Sequence, residues 1–541
     1  MYFLRTVTWL TVLFLVSLHV TAQQAEEQNE STSEQPKAET VIKKGKLPPE
    51  AKKSAEEQKK AEGAAETAAN EEKQEKKEPE PVVTHHQITI GGKVLRYTAT
   101  AGRLPIRDAE GETQAYMFFV AYTAENAGQR RPLMFSFNGG PGSSSVWLHM
   151  GAIGPKRVKM LPEGFMPAPP FDLVDNENTW LDQVDLVFID PVGTGYSRPT
   201  KKELGKKFWS LKGDIESVGE FIRLYLTKYE RWSSPLFLVG ESYGTTRAAG
   251  LSGSLIEHGI AFNGIVLVSS VLNFQTLEFT RGNDLPYVLY LPSYTAAAWY
   301  HKKLPPDLQG DFQKALRESQ QFATGPYTDA LAKADRMAPQ ERQAVLDQLS
   351  RLTGLDKQYL DNANLRVSEG QFTKQLLRNE KKTIGRLDSR FEGFDLNGVA
   401  EQPGFDPSMA AIRPPYTAMF NQYVRSQLGY KSDLEYYILG GGFRDWDWGS
   451  AGQGFPDTAE ALREAFAKNN YMKLFVANGY FDLATPFYAT EYTLAHMGLP
   501  QRLTANIRTG YYDAGHMMYI KNESLNRLKQ DVSNFIMSAL K

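Results

Sequence analysis

A serine sits between glycines at Gly240-Glu241-Ser242-Tyr243-Gly244, after the apolar run Pro235 to Val239 and before a helix-like stretch from Thr245 to His258. A strand that turns sharply into a helix strains the residue at the turn; small neighbours avoid a clash there, and the hydroxyl is pushed clear of the backbone. In that context Ser242 reads as a nucleophile rather than an ordinary turn serine. A hydroxyl attacks a carbonyl only if a base accepts its proton, so a histidine has to be found for it.

The chain has eight histidines. His19 lies in an N-terminal apolar segment, His85 and His86 at the edge of a charged stretch, His149 before the serine, and His258 and His301 in helical patterns. When the serine occupies a strand-to-helix turn of this kind, an acid and then the histidine follow it in the chain, which leaves His496 and His516. His496 belongs to the helix-like run Phe487 to Met497, whereas His516 lies in the loop Asp513-Ala514-Gly515-His516-Met517, and His516 is the choice. The acid that orients the imidazole belongs on a loop after a late strand. Asp482 follows the strand-like Leu474 to Ala477 and is preferred to Asp513, which reads as a local turn former. Amide donors for a developing oxyanion are offered by Phe137-Asn138-Gly139-Gly140-Pro141-Gly142, where glycines free the backbone after another apolar run.

These loops need a sheet to hold them. Pro132 to Phe137, Asp185 to Ile189, Pro235 to Val239, Gly264 to Val268 and Tyr471 to Ala477 are short, apolar and β-rich, the pattern of strands buried on both faces. Helical stretches such as Leu211 to Tyr229 alternate with them. The fold predicted is therefore α/β, of the α/β-hydrolase kind, with a mostly parallel central sheet flanked by helices. Gly91-Gly92 marks a hairpin within Gln87 to Thr98, and a further strand is expected around Ala115 to Tyr122. From about Phe274 to Asp457 the rhythm breaks into helix-like runs (Ser293 to Lys302, Asp307 to Phe322, Pro339 to Leu352) and Gly-, Pro- and Trp-rich loops, an inserted and mainly helical cap.

The strings FNGGPGSSS (Phe137 to Ser145), IDPVGTGYSRP (Ile189 to Pro199), GESYG (Gly240 to Gly244), NGYFDLATP (Asn478 to Pro486) and AGHMMY (Ala514 to Tyr519) together resemble the serine carboxypeptidase family, in the family order. The resemblance implies cleavage of a C-terminal residue from a peptide through an acyl-enzyme, with no metal or organic cofactor. It implies that Ser242 is nucleophile, His516 base and then acid, and Asp482 orienter, with the amides of Gly140 and Tyr243 as oxyanion hole. Asn138, Gly139 and Glu241 would bind substrate, Asn138 and Glu241 by hydrogen bonds to its terminal carboxylate. One position departs from the family: Ala152 stands where a second glutamate is usual, and an ionised Glu241 alone would repel a free C-terminus. An esterase, acyltransferase or amidase on the same triad is therefore a second reading. A lone acid also predicts activity reaching neutral pH. Ser143 stands where the family commonly has a disulfide cysteine. A binding module with a dead site is disfavoured, since triad and oxyanion loop are all present.

The 541-residue chain has Lys+Arg 61 against Asp+Glu 63 and no cysteine. Near-even charge offers no field for nucleic acid, and the absence of cysteine excludes disulfides, thiolate nucleophiles and Cys-ligated zinc. Residues 1–22 read as a signal peptide: Arg5, an apolar run from Val7 to Val20, then Val20-Thr21-Ala22. A run shorter than the roughly 20 residues that cross a bilayer predicts cleavage rather than anchoring, hence no stable membrane insertion afterwards. Export to a periplasm or the extracellular space is expected, and lack of cysteine favours a bacterial-type member. Residues 23–81, nearly all Glu, Lys, Ala, Gln and Pro, read as a disordered charged spacer before the catalytic domain at 82–541. Oligomeric state has no readable signal.

Overall fold

Gly91 and Gly92 adopt φ of 54° and 79°, the left-handed pair that a two-residue hairpin turn requires, and they join β1 (Val82–Ile90) to β2 (Lys93–Arg107). The computed structural model describes residues 80–128, 130–443, 445–449 and 454–541. The signal-peptide reading and all but the end of the spacer reading lie outside these residues. Seven more strands complete the main path of the central sheet: β3 (Thr113–Ala124), β4 (Leu133–Phe137), β5 (Asp185–Ile189), β6 (Leu236–Ser242), β7 (Gly264–Ser270), β8 (Lys473–Gly479) and β9 (Ile507–Tyr512). Their order is β1-β2-β3-β5-β4-β6-β7-β8-β9, and the short strand Arg198–Pro199 pairs with β3. The pairings β1 to β2, β2 to β3 and β3 to β5 are antiparallel; from β5 onward they are parallel.

The sequence reading and the structure agree where apolar runs are continuous, because β4, β5 and β7 are buried at every residue. Helices cover the sheet, among them Leu211–Lys228, Tyr243–Glu257 and Asn522–Ala539. β7 and β8 pair in parallel although residues 271–472 lie between them, so that long segment is an insertion at a sheet junction. Its helices Leu285–Tyr300, Phe312–Phe322 and Pro339–Thr353 share a hydrophobic core of their own, which also takes in Leu483 and Ala489.

Proline and glycine placement shapes three stretches of the insertion. The helix expected from Ser293 begins at Leu285, because Pro286 occupies the first turn, where no backbone donor is lost, and Pro292 is accommodated inside. The stretch Asp307 to Phe322 is two helices, broken at Gly310, with Asp311 capping the second by accepting from Lys314 N at 2.9 Å. The helix Pro407–Ser426 runs through Pro414 and Pro415, and its Tyr416, Phe420 and Tyr423 pack into the core beneath the sheet. A small antiparallel pair, Lys382–Ile384 with Glu392–Phe394, also lies in the insertion.

Candidate active site

The parallel strands end together, and the chemistry-bearing residues leave the sheet from those ends. Phe137 pairs with Gly240, Ser270 with Ser242, and Gly479 with Tyr512. The loop from Asn138, the turn at Ser242, the loop to Asp482 and the loop to His516 therefore rise from neighbouring strands at the carboxyl edge, where open α/β sheets place their sites.

Ser242 has φ 60° and ψ −132°, a strained conformation for a residue with a side chain. The flanking glycines have a direct cause: a Cβ on Gly240 would fall 2.1 Å from Gly244 O, and one on Gly244 would fall 3.0 Å from Phe137 O. The helix Tyr243–Glu257 starts at this turn, so its positive end faces the same space. His516 Nδ1 lies 2.8 Å from Asp482 Oδ2, and both residues are buried. Asp482 is held by donors from Ala484 N (2.8 Å), Thr485 N (3.0 Å) and Thr485 Oγ1 (2.8 Å). Burial pushes the His516 imidazole pKa down, but the Asp482 carboxylate more than offsets this and leaves it above its usual value. Asp513 is exposed and His496 caps a helix, its Nδ1 on Tyr492 O.

Ser242, His516, Asn138, Gly139, Gly140 and Glu241 line a single cavity. Gly139 packs so closely on the nucleophile turn that a Cβ there would lie 2.4 Å from Tyr243 N. Behind this contact is a buried network. Arg247 Nε donates to Asp214 Oδ2 at 2.7 Å, Tyr243 Oη donates to the same oxygen at 2.9 Å, and Arg247 Nη1 donates to Asn138 O at 2.7 Å. One guanidinium thus ties the glycine loop to the helix that carries Tyr243. Asp190 fixes the other end of the loop, accepting from Ser145 N (2.9 Å) and Ser145 Oγ (2.8 Å). Ser143 Oγ accepts from Trp147 Nε1 at 2.7 Å.

Glu241 is 3% exposed, and burial pushes its carboxyl pKa up to about 7, against weaker opposing pulls from His516 and the Tyr519 phenol. Ala152 is fully buried within a π-helical turn, His149–Ile153. Asn138 is 1% exposed; its Oδ1 accepts from Leu148 N at 3.1 Å, and its Nδ2 faces the Glu241 carboxyl and the Tyr519 phenol without a hydrogen bond of ordinary length to either. A buried amide donor with no short bond, beside a buried acid in one cavity, suits an incoming acceptor oxygen.

Several residues escaped the sequence reading. Ser269, at φ 52° in a bulge of β7, donates through Oγ to His516 O at 2.7 Å. Arg386 and Leu387, from the insertion, line the cavity, and Leu387 O accepts from His516 N at 2.6 Å. Asp388 Oδ2 accepts from Gly515 N at 2.9 Å and is paired with buried Arg390. No local pattern marks such residues, because their partners are distant in the chain.

The family model described as serine carboxypeptidase matches residues 95–528, most of the chain. The chain belongs to the serine carboxypeptidase family. Within that family it is similar to serine carboxypeptidase-like 5 of Arabidopsis thaliana, 31% identical over 25% of this chain and 30% of the relative. It is also similar to the pheromone-processing carboxypeptidase KEX1 of Saccharomyces cerevisiae, 30% identical over 29% of this chain and 22% of that one. The matches thus span less than a third of these relatives' length. The crystal structure of the yeast KEX1 prohormone-processing carboxypeptidase aligns over 81% of this chain and 91% of its own, with TM-score 0.48 and 18% identity.

Proposed function

We propose that this member is a serine-type carboxypeptidase that removes C-terminal residues from peptides. The observation that carries the reading is one cavity lined at once by Ser242, by His516 in hydrogen bond with Asp482, and by the pair Asn138 and Glu241 suited to a carboxylate. In this mechanism Ser242 Oγ attacks the scissile carbonyl while His516 Nε2 takes its proton, and Asp482 holds the imidazole and stabilises its cation. The amides of Gly140 and Tyr243 receive the oxyanion. His516 then protonates the departing amino group, the C–N bond breaks, and water repeats the sequence on the acyl-serine. Asn138 Nδ2 and a neutral Glu241 donate to the substrate's free carboxylate, and Gly139 gives the backbone room to approach it.

The second glutamate of the family keeps its partner neutral by like charge; here burial serves that purpose for Glu241. The chain in this reading comprises a signal peptide (1–22), a spacer (23–81) and a catalytic domain (82–541) with its cap at about 274–457. It acts on peptides after export, and the lack of cysteine supports a bacterial-type periplasmic or extracellular enzyme. Ala152 favours a second reading, an esterase, acyltransferase or amidase that has dropped free-acid recognition.

Mass spectrometry of a peptide panel, each peptide supplied as free acid and as amide, separates the two. Loss of C-terminal residues from free acids alone, abolished by Ser242→Ala, supports the carboxypeptidase. Ester hydrolysis that needs Ser242, with every free acid left intact, supports the second reading.

A further inference from the structure

Glu241 has a buried partner to which the sequence reading gave no role. Tyr519 Oη donates to Glu241 Oε2 at 2.6 Å, and Tyr519 is 1% exposed. It stands in the 3-10 turn Met518–Ile520, on the loop that carries His516. The turn bearing Ala152 makes room for it: a Cβ on Gly151 would fall 2.5 Å from Tyr519 Cε2 and 2.6 Å from Tyr416 Oη, so any larger residue there would drive the ring away. Glu241 lines the cavity, whereas Tyr519 lies behind it.

We infer that Tyr519 is a positioning residue for carboxylate recognition, taking over from the missing second glutamate by holding Glu241 so that Oε1 presents the carboxyl proton to the substrate. This rests on the carboxypeptidase reading. The physical basis is the donor inventory. A phenol well below its pKa keeps its proton, and burial raises that of Tyr519 further. An oxygen that accepts from the phenol is the carbonyl-like oxygen of a neutral carboxyl, which places the acid's own proton on the other oxygen. A glutamate pair shares one proton between two acids; a phenol and one acid hold two protons and need no like-charge repulsion. The groups facing Glu241 are Tyr519 and His516 from one loop, Asp482 from the neighbouring loop, Tyr416 from the helix Pro407–Ser426, and Asn138.

Tyr519→Phe removes the phenol and keeps the ring. The measurement is kcat and KM on a free-acid peptide and on a simple ester without a carboxylate, across pH 5 to 8. The ratio of free-acid to ester kcat/KM is expected to fall roughly tenfold, through KM rather than kcat, as for loss of a hydrogen bond to an ionisable group. The pH above which free-acid KM rises is expected to move up, because a donor that favours the ionised carboxyl is gone. An unchanged ratio, or equal losses on both substrates, overturns the role given to Tyr519 while leaving the carboxypeptidase reading intact. A wild-type enzyme that turns over esters and trims no free acid overturns the carboxypeptidase reading, and this inference with it.

Discussion

Glu241→Gln tests the carboxylate site through stability and binding at once. Burial holds the Glu241 carboxyl at about 7 against an ordinary 4.5. Between those values the folded protein keeps a proton that the unfolded chain has lost, so stability falls as pH rises through this window and is level above it. At 1.36 kcal/mol per pH unit, the gap between 4.5 and about 7 corresponds to ~3 kcal/mol lost by the wild type. Glutamine keeps an acceptor for the Tyr519 phenol and a donor for the cavity, and it does not titrate. The assay is urea denaturation of both proteins at pH 4, 6 and 8. The stability of Glu241→Gln relative to wild type is expected to climb by ~3 kcal/mol across the series. A difference that stays flat refutes the account of a carboxyl kept neutral by burial. Kinetics read the same group: wild-type KM for free-acid peptides should rise above about pH 7 as Glu241 ionises, while that of Glu241→Gln stays level. In the free enzyme an ionised Glu241 also raises the His516 pKa, so the acid limb of kcat/KM on an ester without a carboxylate should move to lower pH in the variant.

Two further predictions concern the frame around the nucleophile. Gly139→Ala would put a methyl 2.4 Å from Tyr243 N and displace the oxyanion donors, so kcat on any acyl substrate should fall roughly 10²- to 10³-fold; steady-state ester assays measure it, and a loss under tenfold counts against the donor assignment. Arg247→Met would strand Asp214, whose carboxyl burial already pushes up, and should cost ~3–5 kcal/mol in denaturant titrations. Adding Asp214→Leu should recover much of that loss.

What the sequence reveals and what it hides follow from physical range. The nucleophile turn is legible because much of its constraint is local: a Cβ on Gly240 would strike the backbone of Gly244, four residues on. β4 and β5 are legible because burial on both faces forces an apolar run. β9, which launches the His516 loop, was missed because it ends the sheet, with Arg508 and Thr509 exposed and no apolar run to mark it. The bond from Arg247 to Asn138 joins residues 109 apart in the chain, and the bond from Tyr519 to Glu241 joins residues 278 apart. Each is a property of the fold, invisible to spacing.

The segment Arg386–Arg390 illustrates how an insertion can serve both positioning and selectivity. Its main chain holds the catalytic loops: Arg386 O accepts from Leu483 N at 3.0 Å, Leu387 O from His516 N at 2.6 Å, and Ser389 N donates to Phe481 O at 2.9 Å. Any residue supplies those groups, so the side chain of Leu387, which lines the cavity, is free to vary with substrate while the loops stay in place, whereas the Arg386 guanidinium also faces the charges of Asp482 and His516. Asp388 is the exception. It uses its side chain to bind Gly515 N, and a Cβ on Gly515 would fall 2.5 Å from it, so that pair has no equivalent substitute. Variation in selectivity within this segment should therefore concentrate at Leu387, with Asp388 and Gly515 fixed, because the Leu387 side chain is one the catalytic loops do not need, while a change at Arg386 would alter the charge facing His516 as well as the cavity wall.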